Sequence, residues 1–489
     1  ELDKSVRNQF VDLNGNPFTE SQIVYGVGDV TCIRDIKRQQ LDRAKELDLL
    51  NVIQLENDAC LALADIEYNG FGLNTEKWLE LARNAESNVS LYKNDLDELV
   101  KNENSLSKYV LDKVQGNLFA GIEEGFEHGR DINIEWSSPL QVFKVFKDLG
   151  LSIESTNEKE ISKYQNKYPI VKKFIDYKKH QKLTTTYGTK FLKYVNKYTD
   201  KVHTSFWQIL NTGRISSGES GKHSQSPNMQ NLPANNEYRN CFIPTKGNKI
   251  VSCDFSGQEL RLVAFVSKEK VWMDAFNEGR DLHSEVAAMV FDVPLDKVKD
   301  KPDFLRGKSY RDIAKTINFG LVYGMSEFKL SNTLSIPIED AKQMIDKYFK
   351  NLPKLNEFLK SASAYGRKNL MIRTCKPYRR IRFFDDPKGD NKLIGEIERA
   401  SKNTVIQGSG ADMCKLALVY IRKYIKSNNL QDKVKVVMTV HDQIDCEVTA
   451  DYAEEWSLIQ KKLMEDAGSV IIQGIPVLSE ITISDCWTK

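Results

Sequence analysis

The sequence predicts an α+β protein, and three features carry that expectation. From 32 to 205 the apolar spacing is mostly helical. From 206 onward, short β-rich runs alternate with long helical patterns. Near the end, 434–440 and 443–448 flank a two-residue break, with β-branched residues on both sides, as a hairpin would.

The elements follow in order. Residues 32–50, rich in Arg, Lys, Leu and Ile, read as a helix, and 52–68 as a second, with Leu55, Ala59, Ala62, Leu63 and Ile66 near helical spacing. Asn69-Gly70 ends it as a turn. Residues 75–205 are mostly helical and strongly charged. Within them, 161–201 holds eleven lysines against Asp176 and Asp200, a local charge of about +9, with Tyr164, Tyr168, Tyr177, Tyr187, Tyr194 and Tyr198 interleaved. That segment is either a solvated helical face or a surface that follows a phosphate backbone by releasing counterions. The run 249–253 reads as a strand, 451–467 as a helix, and a short strand region closes the chain. There is no internal repeat and no Pro- or Gly-rich linker.

Composition narrows the class. A chain of 489 residues suggests about three domains. With 40% apolar and 10% aromatic residues it can fill real cores, which argues against disorder. The 70 basic and 68 acidic residues leave a net charge of +2, so any basic surface must be local. No run approaches the length of a membrane-spanning helix, and no signal-like segment opens the chain. Eight scattered cysteines form no CxxC pair and no disulfide framework, which predicts a reducing, cytoplasmic setting. Position 1 is Glu rather than Met, so the chain is expected to be a piece of something longer.

Four stretches could do chemistry. Asp254 ends the run 249–253 and Asp442 sits at the tip of the hairpin. Two carboxylates brought together repel unless a cation lies between them; two Mg²⁺ ions about 3.5–4 Å apart would suit them and could clamp a phosphoryl transfer. The alternative is that each is a turn or cap residue, the commoner fate of an isolated Asp. Second, Arg311, Lys315, Phe319 and Tyr323 recur every four residues and wind slowly along one helix. Such a stripe could hold a triphosphate at one end and a flat base at the other, or be a solvated basic edge with two core aromatics. Gly320 and Gly324 cost a helix about 1 kcal/mol each, yet leave bare backbone beside the aromatics. Third, Thr212-Gly213-Arg214-Ile215-Ser216-Ser217, followed by 228–233, is loop-like and rich in donors. Fourth, in 398–408, Asn403 and Gln407 lie four apart on one helix face. Amides and arginines of this kind can reach minor-groove acceptors.

Together these segments resemble the family A DNA polymerases, of the bacterial DNA polymerase I and phage replicative type. Asp254-Phe255-Ser256-Gly257-Gln258-Glu259-Leu260-Arg261 is similar to the family's first palm motif, 311–324 to its fingers helix, and Val440-His441-Asp442-Gln443 to its last palm motif. The Thr-Gly-Arg segment, the run 278–283 and the Glu-Arg…Gln-Gly run stand between them in the family's order. The resemblance covers roughly 50–489.

It implies a right-hand fold with an antiparallel-sheet palm, a helical thumb and helical fingers. The implied segments are a C-terminal remnant of a 3′–5′ exonuclease domain at 1–48, an entry helix into the palm at 49–75, thumb at 76–205, palm at 206–265, fingers at 266–395 and palm again at 396–489. It implies template-directed DNA synthesis, with Asp254, Asp442 and the Phe255 carbonyl as ligands of two Mg²⁺ ions, for which Mn²⁺ could substitute. Arg311, Lys315 and His283 would hold the triphosphate, offsetting its developing charge. Phe319 and Tyr323 would wall the nascent pair, and Glu259 would gate against a ribose 2′-hydroxyl. Arg214 and Gln407, helped by Asn403 and His441, would probe the minor groove. The lysine-rich segment, with Lys182, falls where the thumb tracks DNA. Implied partners are primer–template DNA and dNTPs, with no membrane and no named accessory protein, and the chain would act as a monomer. The compact form and altered motifs fit a phage source, which would put it in a host cytoplasm; a bacterial source would put it with the nucleoid.

Three departures matter. Gln443 stands where the family often has Glu, and Asp445, two residues on, could partly substitute. Phe255-Ser256-Gly257-Gln258 replaces the usual Tyr-Ser-Gln-Ile, although Leu260-Arg261 fixes the register of Glu259. Phe319, rather than Tyr, implies discrimination against dideoxynucleotides. Near the start, Tyr25 and Asp29 have the Tyr-x-x-x-Asp form of the family's third nuclease motif. The earlier nuclease carboxylates have no upstream sequence to lie in, and Asp65-Ile66-Glu67 comes too late, so no proofreading is expected: one carboxylate cannot assemble a two-metal site.

Three rivals remain at this level. A single-subunit RNA polymerase shares the palm carboxylates, but Glu259 would crowd a 2′-hydroxyl. A catalytically inactive nucleic-acid-binding relative would not need both aspartates and both phosphate-holding cations. An exonuclease would need the missing carboxylates.

Overall fold

The computed structural model describes residues 4–10, 17–115, 127–218, 226–233, 236–301 and 307–488. Parts of the expected segments 1–48, 76–205, 206–265, 266–395 and 396–489 lie outside the described residues. The chain divides into two compact units, one of Glu1–Asn69, Ser205–Gly218 and Gly247–Ser484, the other of Gly70–Thr204, Glu219–Lys246 and Asp485–Lys489. Among the described residues no helix is long and apolar enough to cross a membrane.

The first unit is built on a four-stranded antiparallel sheet in the order Val434–Val440, Gln443–Thr449, Asn248–Phe255, Ser479–Ser484. The hairpin forms as its sequence predicts. In the central strand the pleat turns Val251 and Cys253 into the core, with Ile444 and Cys446 beside them. The helix Ala453–Ile471 packs on that strand through Trp456, Met464 and Ala467, all fully buried. Asp254 therefore faces the other way, with Gln443 on one neighbouring strand and Glu480 on the other as its register partners.

Helix ends differ from the apolar pattern where capping chemistry intervenes. The pattern begins at 32, but the helix runs Glu20–Glu46, because Thr19 accepts from the Gln22 amide while the Gln22 side chain accepts from Thr19. Tyr25 and Asp29 thus lie on a helix. Asp48, at φ 52°, breaks the chain before the next helix, Leu50–Asn69. After Asn69, Gly70 takes φ 59°, the left-handed conformation that favours glycine.

A helical layer follows, including Leu282–Phe291, Tyr310–Val322, Ile338–Asn351 and Pro353–Asn369. The helix Asn391–Asn403 continues through a π-helical turn, Thr404–Gly408, into Ser409–Ser427. That widened turn is invisible to an apolar pattern of period 3.6.

In the second unit the helix Thr75–Lys101 packs along Pro169–Tyr187 around Leu96, Val100, Trp136, Phe146 and Phe174. A second core is aromatic: Trp78 stacks on Phe191 at 4.3 Å, and Phe242 meets Trp487 edge-on. The interleaved tyrosines of the lysine-rich segment divide between two jobs. Tyr177 and Tyr187 are buried in the unit, whereas Tyr168, Tyr194 and Tyr198 each carry the preceding lysine over the ring at 5.1, 4.7 and 4.9 Å.

Candidate active site

Asp254 is the penultimate residue of the central strand, and Asp442 is the second residue of the turn between the hairpin strands. His441 makes that turn possible by taking φ 56°. The Phe255 amide donates to the Asp442 carbonyl at 3.3 Å, which ties the turn to the strand end. The thiol of buried Cys414 is pushed up to about 12, first by burial and then by the Asp442 charge, with a smaller push from Asp254. Beside them, the Gln443 amide donates to Asp445 Oδ1 at 2.6 Å. Asp445 is wholly buried and is occupied in holding that amide.

The donor set suits a hard cation. Asp254 and Asp442 offer carboxylate oxygens and Phe255 a carbonyl, which are the ligands Mg²⁺ prefers. Among the described residues no group of three or more His, Cys, Asp and Glu forms a closed metal site, and the raised Cys414 thiol is no soft ligand at neutral pH.

Glu259 stands in the first turn of the helix Gln258–Ser267, entered through Gly257 at φ 63°. Arg214 Nη2 donates to its Oε1 at 2.7 Å, and the Tyr323 hydroxyl donates to its Oε2. The Gln407 side chain lies beside the same hydroxyl. Burial, and then the Glu259 charge, push the Tyr323 phenol far above its usual range, so it remains a donor. Two residues remote in sequence, Arg214 and Tyr323, thus meet on one carboxylate, with Gln407 beside the tyrosine. Arg214 and His441 line one cleft with Ala411, Cys414 and Lys415.

The fingers-like helix carries the rest. Arg311 grips Asp281 with both arms, Nε to Oδ2 at 2.6 Å and Nη2 to Oδ1 at 3.0 Å. His283 Nδ1 meets the Asn318 amide nitrogen at 3.0 Å, and its ring lies 6.0 Å from Phe319. Burial lowers the imidazole below its usual value, which favours the neutral ring, and an Nδ1 that accepts from the Asn318 amide leaves the proton on Nε2. Lys315 is exposed and Phe319 half-buried. The two glycines have structural reasons. Gly324, at φ 80°, ends the helix, and a Cβ on Gly320 would meet the Met325 side chain at 2.5 Å. Asn403 is the last α-helical residue before the π turn that carries Gln407, and its Oδ1 is buried.

Other expected residues lie apart from this constellation. Lys182, in the second unit, lines a groove of about 550 Å³ with Tyr187, Tyr194, Asn228 and Asn231. The donor-rich stretches 212–217 and 228–233 belong to different units. Tyr25 is half-buried and Asp29 exposed on their helix. Asp65 takes the Arg422 guanidinium at 2.8 Å and Glu67 the Phe206 amide at 2.5 Å, which gives both carboxylates structural work.

Two features escaped the sequence reading. One is Asp281, although it lies two residues from His283. The other is a buried ionic cluster. Arg380 pairs with both Glu56 and Asp412, Lys415 Nζ reaches Glu56 at 2.6 Å and the Gln208 carbonyl at 2.9 Å, and Thr374 donates to Asp412 at 3.0 Å. A Cβ on Gly213 would meet Arg380 Nε at 2.7 Å, so the loop that presents Arg214 rests on this cluster.

This is the right-hand polymerase fold. The POL domain of Pol1 from M. smegmatis, solved in complex with DNA primer-template and dNTP, matches at a TM-score of 0.79 and 23% identity, over 100% of this chain and 79% of that one. The chain belongs to DNA polymerase family A, whose model matches residues 111–489. Its relatives include DNA polymerase I of Caldicellulosiruptor bescii, 31% identical over 410 residues (81% of this chain, 45% of that protein). DNA polymerase I of Helicobacter pylori strain J99 is 31% identical over 458 residues (91% and 44%), and the thermostable DNA polymerase I of Thermus aquaticus is 32% identical over 358 (70% and 40%). The chain spans less than half the length of these relatives.

Proposed function

We propose that this chain is a template-directed DNA polymerase that joins deoxynucleoside triphosphates to a primer 3′-hydroxyl and releases pyrophosphate. The observation that carries the reading is the convergence of Arg214 and Tyr323 on Glu259, with Gln407 beside Tyr323, in the unit whose sheet carries Asp254 and Asp442. Family membership supports it, as does the likeness to a Pol1 domain that was solved holding primer-template and dNTP.

Asp254, Asp442 and the Phe255 carbonyl would hold two Mg²⁺ ions, which when bound offset charge on the reacting oxygens and orient them. Arg311 and Lys315 bind the triphosphate as cations, and neutral His283 adds a hydrogen bond rather than a charge. Phe319 and Tyr323 offer flat faces to the base. Glu259, fixed by Arg214 and Tyr323, crowds a 2′-hydroxyl and so selects deoxynucleotides. Arg214, Gln407, Asn403 and His441 read minor-groove acceptors of the primer terminus. Segment 76–205 serves as thumb, 266–395 as fingers, and 206–265 with 396–489 as palm. Lys182 and its neighbours follow the phosphate backbone. Tyr25 and Asp29 are a nuclease remnant.

Extension of a labelled primer in Mg²⁺ tests the reading, with dNTPs and separately with rNTPs. Extension by dNTPs alone, lost in Asp442→Ala, is the expected result. Extension by rNTPs would move the reading to an RNA polymerase. Tight primer–template binding without extension would leave an inactive relative.

A further inference from the structure

We propose that Asp281 is a positioning residue for the incoming triphosphate, acting through Arg311 by fixing the plane and reach of its guanidinium. The inference rests on the polymerase reading above.

Arg311 has five N–H donors in a rigid fork. Asp281 engages two of them, on the Nε–Nη2 edge, at 2.6 and 3.0 Å. A carboxylate on that edge stops rotation about the end of the side chain. It leaves three donors, on the Nη1 side, for a second anion. Single-sided engagement of this kind orients an arginine without consuming it.

Asp281 is itself held. It is the N-cap of Leu282–Phe291, with Oδ2 accepting from the Ser284 amide at 3.1 Å and the Ser284 hydroxyl at 2.5 Å. The same first turn carries His283, whose Nδ1 is bound to Asn318 on the helix of Arg311. One capped turn thereby sets two of the groups that face the triphosphate. The groups that act on the pair are Ser284, His283 and Asp312, with Lys315 acting on His283 in turn. Burial alone would raise the Asp281 carboxyl, but the hydrogen bonds from Arg311 and Ser284 outweigh it and hold it at about 2. The pair therefore keeps its charges at any pH where synthesis is measured.

Two other roles are open to such a carboxylate, and they differ in sign. A competitor that the triphosphate must displace would weaken nucleotide binding, and its loss would tighten it. A simple helix cap would leave binding untouched when replaced by Asn, which caps as well as Asp.

The test is Asp281→Asn, compared with wild type on a primer–template in Mg²⁺. The expected result is a KM for dNTP raised about five- to tenfold, the scale of one well-aligned charged hydrogen bond, with kcat much less affected. The thermal midpoint near neutral pH should fall only modestly, because Asn keeps the cap while giving up the ion pair with Arg311. An unchanged or lowered KM overturns the proposal. In an Arg311→Lys background, which lacks the fork, Asp281→Asn should add little; full additivity of the two effects also overturns it. Retention of radiolabelled dNTP on the primer–template complex reads the same shift without turnover. Loss of extension in every protein, wild type included, would count against the polymerase reading, while the retention assay would still decide the role of Asp281.

Discussion

At the residue scale, the site is a set of charges that hold one another before any substrate arrives. Glu259 is gripped from two sides and Arg311 from one. The Asp281 carboxyl is lowered from its ordinary 3.8 to about 2, so its share of stability is present above about pH 4 and is lost as pH falls toward 2. The stability difference between wild type and Asp281→Asn should accordingly shrink in acid denaturation profiles taken below pH 4. Phe319 offers a second check. Replacing it with Tyr should raise dideoxynucleotide incorporation in a chain-termination assay; no gain would count against its assignment to the wall over the nascent pair. The individual chemical letters were legible in the sequence: Asp254, Asp442, Arg311 and Glu259 could all be named from their motifs. Their partners were not. Nothing in the spacing of Asp281 and Arg311 tells that the N-terminus of one helix meets the first turn of another.

At the element scale, the continuous helix from Asn391 to Ser427 serves two sides of the same machine. Its π turn presents Gln407 to Tyr323, and its next turns bury Asp412 and Lys415 in the ionic cluster. Removing one member of such a cluster strands the others as buried charges, which typically costs about 3–5 kcal/mol. The loop bearing Arg214 leans on that cluster at Gly213, which also needs φ 79°. Gly213→Ala should therefore lower the thermal midpoint and also impair extension from a correctly paired primer end. A protein of wild-type stability and activity would contradict the packing argument. The hairpin and most helices were readable because apolar period and turn residues agree there. The start at Glu20 was missed because a polar capping box, rather than apolar spacing, sets it. The π turn was missed because no residue type signals it.

At the scale of the whole molecule, a net charge of +2 conceals a strongly uneven distribution. The lysines of 161–201 are balanced within their unit only in part, as where Lys173 meets Asp95 at 2.6 Å. If Lys182 contacts phosphate, Lys182→Ala should weaken primer–template binding similarly for all sequences. It should also reduce the slope of log affinity against log salt by about 0.9, read from a fluorescence titration at several ionic strengths. An unaltered slope would remove Lys182 from the interface. The division of five of the six tyrosines between core and lysine partners could not be read from the alternation itself, because burial depends on which helix lies alongside.

The order of strands in the sheet also bears on how the protein is made. The strand that carries Asp254 lies between partners encoded at 443–449 and 479–484. A ribosome that has just finished Asp254 must still deliver the helical layer, the continuous helix 391–427 and the hairpin before that strand has a neighbour on either side. Until then its unpaired edges and apolar face must be kept from other chains. On the proposed polymerase reading, Asp254 and Asp442 are brought together only late in synthesis, so a nascent chain stalled before the hairpin should fail to extend a primer.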